Sequence, residues 1–165
     1  MSAERYYEVV LKDCLLSFVV TTSKKDNFHE LFSEFLDNLE DLWILELINM
    51  GVRIEKEDEF AEAFKAFYDA NWKNQNAVEL LKDVERVDIE DEREDSVTLS
   101  IKQCPFREFH EELRVLNVPV DLCLFGAFLV RGTQRFMKER KELDYIYSFD
   151  LPDCTLIIKT RNRTI

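Results

Sequence analysis

The chain has 165 residues, of which 46% are apolar and 12% aromatic, with three glycines and three prolines; this excludes a tail, a linker or a fibre and describes one well-filled domain. At this length roughly 70% of the unfolded chain's surface is buried on folding, so neither a disulfide nor a metal is needed simply to fold. The formal charge of −12 is badly matched to a phosphate backbone or an anionic bilayer, so no nucleic-acid partner and no membrane partner is expected.

No apolar run reaches the length of a transmembrane span, and the opening MSAERYYEVVLKD is charged too early for a secretion signal. Four cysteines at irregular spacing fit free thiols or metal ligands better than a disulfide framework, and a cytoplasmic protein is the expectation. The charge is uneven. Residues 1–95 carry 11 Lys and Arg against 25 Asp and Glu, a net of −14, whereas residues 96–165 carry 11 against 9, a net of +2. An acidic half and a nearly neutral half can match each other, within one chain or between two.

The acidic half reads as helices. Arg5 to Thr22 places Tyr6, Val9, Val10, Leu15, Phe18 and Val19 at helical spacing, yet its run SFVVTT is rich in strand formers; helix is favoured and strand stays open. From Asn27 to Met50, the residues Phe28, Leu31, Phe32, Phe35, Leu36, Leu39, Leu42, Trp43 and Leu47 recur every three or four positions and predict one apolar stripe. Asp26 or Asn27 is placed to cap the start, and Gly51 to end the helix in the left-handed conformation. Phe60, Ala63, Phe64, Phe67 and Tyr68 mark another helix, with Glu57, Asp58 and Glu59 in its first turn where the dipole favours negative charge. A shorter helix containing Val78, Leu80 and Leu81 is expected to follow.

The period then changes. VERVDIE at 84–90 and SVTLSIK at 96–102 alternate apolar and polar residues and read as a hairpin joined by the charged DEREDS. Pro105 opens a helix in which Phe106, Phe109, Leu113 and Leu116 share a face, because proline is tolerated in a first turn. Asn117-Val118-Pro119 breaks it, and Val120 to about Lys138 forms a helix that is apolar at first and basic later. LDYIYSF at 143–149 and CTLIIKT at 154–160 are strands around a turn at Leu151, Pro152 and Asp153. The expected architecture is α+β in a single domain: mainly helical over 1–83, then, over 84–165, an antiparallel four-stranded sheet in the order strand-strand-helix-helix-strand-strand with the helices packed on it.

Recognisable catalytic motifs are absent: there is no glycine-rich phosphate loop, dinucleotide fingerprint, HExxH, nucleophile elbow or CxxC pair. The cysteines carry the most chemistry. Cys104 precedes Pro105 and a helix N-terminus, where the dipole would lower a thiol pKa; Cys123 lies one turn into the next helix, and Cys154 opens the last strand. Three thiolates converging at one end of the sheet would suit zinc, with His110 or Asp121 as further ligands. The competing reading, the favoured one on residues alone, is that these thiols pack as small apolar groups; Cys14 is assigned to the core. His29 is expected on a solvated helix face, and the aromatics are more readily core than cavity lining. The basic run Arg131, Arg135, Lys138, Arg140 and Lys141 is either a solvated helix end or a receptor for an anionic ligand or an acidic partner surface.

The segment CPFREFHEELRVLNVPVDLCLFGAFLVRG, a basic helix, and KELDYIYSFDLPDCTLIIKT together resemble the C-terminal part of the L-2-amino-thiazoline-4-carboxylic acid hydrolase-like family. The same ending is similar to the 4-vinyl reductase domain, a small-molecule-binding α+β module related in fold to subunits of a vesicle-tethering complex. The resemblance runs from Cys104 to Thr160 and implies that Cys104, Cys123 and Cys154 occupy the family's cysteine positions. A further cysteine that 4-vinyl reductase domains often place before the final turn has no counterpart, since Tyr145, Tyr147 and Phe149 occupy that strand. Three functions follow as expectations. The first is a small-molecule- or metal-binding protein with a cysteine-lined site; the others are a cysteine- or metal-dependent hydrolase of a small cyclic substrate, and an oligomeric scaffold that pairs with a second copy.

Overall fold

The structure, a computed structural model, describes residues 3–74, 87–102, 104, 106–118, 123–150 and 153–161. Its class is α+β. In chain order the described elements are α1 (Ala3–Thr22), α2 (Phe28–Asn49), α3 (Phe60–Trp72), β1 (Val87–Glu92), β2 (Ser96–Ile101), α4 (Arg107–Val115), α5 (Leu124–Arg135), β3 (Leu143–Asp150) and β4 (Asp153–Thr160). The helix expected around Val78 to Leu81, together with Pro105, Pro119, Asp121, Leu151 and Pro152, lies outside the described residues.

The opening element is a helix throughout, strand formers included. Asn27 takes the N-cap position of α2 without a side-chain bond. At the other end Gly51 adopts φ 87°, and its N–H and that of Val52 return to Ile48 and Leu47 carbonyls at 2.9 Å each. These two bonds satisfy carbonyls that have no partner inside the helix. Asn117, at φ 51°, closes α4 in the same way, with Val118 N–H on the Leu113 carbonyl at 3.0 Å. Asparagine tolerates this region because its short polar side chain bonds locally.

The sheet order is β1-β2-β4-β3, and every neighbouring pair is antiparallel. Register places Leu99 opposite Leu156 and Val97 opposite Ile158 in the two central strands. These residues are fully buried, whereas the alternating Thr98, Ser100, Thr155 and Ile157 are only half-buried. One face of the sheet is therefore core, and α3 and α5 lie on it. Helix α5 approaches closely because it carries glycines at its contacts: a Cβ at Gly126 would fall 2.7 Å from the Tyr145 ring, and one at Gly132 would overlap the Phe67 ring.

Two apolar clusters result. One joins the sheet to α3 and α5 through Phe60, Phe64, Phe67, Leu129 and Phe136; the other joins α1, α2 and α4 to the start of α5 through Val19, Phe28, Phe32, Leu36, Phe109 and Leu124. Helix α2 buries Phe28, Phe32, Leu36, Glu40 and Leu47. The expected stripe is corrected here: Leu39 and Leu42 are exposed, Leu42 by 64%, together with Leu45 and Ile48. The sequence LWILELI is apolar almost all round the helix, and only one side of it can meet α5.

Candidate functional site

Cys104, Cys123 and Cys154 are all buried and all belong to the sheet-side cluster. They serve that cluster as small apolar groups. Cys123 is the N-cap of α5 and lies before its first turn, in contrast to the expected position inside the helix; its sulfur accepts the Gly126 N–H at 3.3 Å. In the sheet register, Cys154 of β4 pairs with Ile101 of β2 and with Phe149 of β3. Among the described residues no group of three or more His, Cys, Asp or Glu side chains is arranged to hold a metal ion, so the zinc expectation finds no site there. His110 is buried on α4 against the Tyr147 ring, with centroids 5.6 Å apart, and His29 is exposed.

The expected activation of Cys104 is reversed. Burial pushes its thiol up, and this outweighs the backbone bonds at Phe106 and Arg107 that pull it down. A thiol held neutral is a poor nucleophile. Cys14 is also corrected, since it is exposed on α1 and not part of the core.

The five basic residues are engaged within the chain. Arg131, Arg135 and Arg140 surround the Asp37 carboxylate at 3.5, 4.0 and 3.1 Å, and Arg135 also reaches Asp41 at 2.7 Å. Arg131 donates to the Ser33 hydroxyl as well. Lys138 meets Asp58 at 2.6 Å, and Lys141 lies 3.6 Å from Glu59. The charge asymmetry between the two halves is thus satisfied by docking α2 and the approach to α3 onto the C-terminal end of α5.

Where the two apolar clusters meet, they leave a cavity of about 550 Å³. Helix α1 contributes Cys14, Leu15 and Phe18 to its wall, and α2 contributes Phe35, Leu36, Leu39 and Trp43. Trp72 at the end of α3, Phe106 and the Leu124, Phe125 and Phe128 side chains of α5 complete it. Among the described residues of the wall, none is charged. Trp43 spends its indole N–H on Asn71 at 2.8 Å, and Asn71 in turn donates to the Phe67 carbonyl at 2.7 Å. This polar pair lets an amphipathic ring present its apolar face to the cavity. The wall draws on α1, α2, α3, α5 and the residue preceding α4, so no contiguous motif announces it; the available signal was the excess of apolar arc on α2.

Next to this wall, on the α5 side of α2, Glu40 is 1% exposed, and neither carboxylate oxygen has a hydrogen-bond partner among the described residues. Burial pushes its carboxyl up to about 8, against the opposing pull of Arg135 and Arg131 and with a smaller push from Asp41 and Asp37.

No protein-family model, curated protein or solved structure matches this chain.

Proposed function

We propose that the protein is a binding module for a small, neutral, apolar molecule held in the cavity bounded by α1, α2, α3 and α5. The observation that carries this reading is the cavity itself, about 550 Å³ with seven aromatic side chains in its wall among the described residues. Its size falls within the range of small-molecule sites, roughly 300–1,000 Å³. An uncharged wall favours a ligand that loses little hydration on entry and disfavours an ion, which would lose its water without gaining a partner. The C-terminal resemblance to small-molecule-binding modules agrees with a binding role, but the Cys104, Cys123 and Cys154 positions it implies are not in this wall, which is aromatic and carries Cys14.

Titration with the neutral fluorophore N-phenyl-1-naphthylamine tests the proposal. Leu39 lines the cavity and is partly exposed, so Leu39→Glu places a carboxylate at the wall without burying it in the core. Affinity for the fluorophore should fall about tenfold or more, equivalent to about 1.4 kcal/mol. The bound fluorophore should also slow maleimide labelling of Cys14. Equal binding by both proteins, with Cys14 labelling unchanged, would remove the cavity as the site.

A further inference from the structure

The buried Glu40 carboxyl, whose oxygens have no hydrogen-bond partner among the described residues, sits on the side of α2 that packs against α5. Helix α2 carries its core residues at Phe28, Phe32, Leu36, Glu40 and Leu47, so Glu40 occupies a regular position of the buried stripe. On the same helix, Leu36, Leu39 and Trp43 are cavity wall. Any movement of this stretch of α2 away from α5 therefore opens the cavity.

Among the described residues, the charged groups around Glu40 are placed as follows on each element. From α5, Arg131 and Arg135 act on it, but both already contact Asp37, and Arg135 also contacts Asp41. From α2 itself, Asp37 and Asp41 oppose its ionisation. Beyond α5, Arg140 also meets Asp37. Helix α1 meets α2 through the Phe18 and Phe35 rings, and its Lys12 is paired with Glu108 and Glu112 of α4. Helix α3 meets α2 through the neutral Asn71–Trp43 bond. An ionised Glu40 in the closed interface would thus be a buried anion whose nearest cations are held by other carboxylates, which is an unstable arrangement.

We propose that the α2–α5 interface is a latch that stays closed only while Glu40 is neutral, and that ionisation of this buried carboxyl releases this stretch of α2 and loosens the wall of the ligand cavity. The proposal rests on the cavity reading for its functional consequence, but not for the latch itself. Carboxyl titration near pH 8 places the transition within reach of ordinary buffers, so ligand occupancy becomes pH-dependent. By linkage, a ligand that prefers the closed cavity also favours the protonated carboxyl.

Two readouts on one set of samples separate the latch from the cavity reading. In hydrogen exchange, the α2 amides from Leu36 to Trp43 are followed relative to the β2 amides of the same molecule, which cancels the general base catalysis of exchange. In the wild type the α2 amides should lose protection progressively as pH rises from about 4.5 towards about 8 and level off above it; Glu40→Gln and Glu40→Met should keep it. In parallel, the dissociation constant of N-phenyl-1-naphthylamine should rise about tenfold in the wild type between about pH 6.5 and about pH 9 and stay level in the variants. Should the wild-type exchange ratio stay flat with pH, or shift equally in wild type and variants, the latch is wrong, and the wild-type profile alone decides this if neither variant folds. An exchange transition without fluorophore binding at any pH would retain the latch and dismiss the cavity reading.

Discussion

Trp43 donates its indole N–H to the Asn71 side-chain oxygen at 2.8 Å, joining the middle of α2 to the end of α3 behind the cavity wall. Asn71 is completely buried and holds its orientation by donating to the Phe67 carbonyl. Asn71→Ala removes both bonds and leaves the indole N–H without this acceptor. The expected outcome is a loss of about 1–3 kcal/mol in urea unfolding. Asn71→Asp preserves the acceptor, introduces a buried charge, and should lose at least as much at neutral pH.

Asp37 has three arginines within 4.0 Å. Asp37→Asn keeps the shape and removes the charge that gathers them, so stability should fall by about 1 kcal/mol at low ionic strength. Because the pairs are partly exposed, the difference from wild type should shrink in molar salt. Paired urea titrations at low and high salt measure it. The result separates an intramolecular match of the two halves from the alternative of a basic surface kept for a partner.

Gly132 tests the close approach of α5 to α3. In an ordinary helix interior Gly→Ala stabilises by about 1 kcal/mol. Here the new methyl group would overlap the fully buried Phe67 ring, and Gly132→Ala should instead destabilise by about 1–3 kcal/mol. A thermal melt reads the sign directly.

The Glu40 carboxyl also predicts how stability varies with pH. Its folded-state value is about 8 against an ordinary value of 4.5, so the folded protein binds the proton more tightly than the unfolded chain does. The stabilisation is complete below about 4.5, declines as pH rises towards 8, and is gone above it. Its full extent is on the order of a few kcal/mol. Chemical denaturation across this range should show the decline in the wild type, and Glu40→Gln should flatten it.

The α+β class was legible because period-2 segments at 84–90, 96–102, 143–149 and 154–160 interrupt segments of period 3.6. The exposed side of α2 was not: sorting Leu39 and Leu42 into the core by residue type ignores that Glu40, between them, is the residue facing α5. The partners of Arg131 and Arg135 were also illegible, since Ser33 and Asp37 lie almost a hundred positions away in sequence. Only the charge asymmetry hinted at them. The cysteines drew attention as the most reactive residue type present, whereas burial decides their chemistry, and sequence spacing carries little information about burial at a helix N-cap or a strand start.

The two tryptophans of the chain, Trp43 and Trp72, both line the cavity. Energy transfer from their fluorescence to N-phenyl-1-naphthylamine therefore tests the central claim most directly. A ligand in the cavity should quench most of the tryptophan emission at saturation, with one fluorophore bound per chain. Saturable binding that leaves the tryptophan emission unchanged, or the absence of binding to folded protein, would contradict the account.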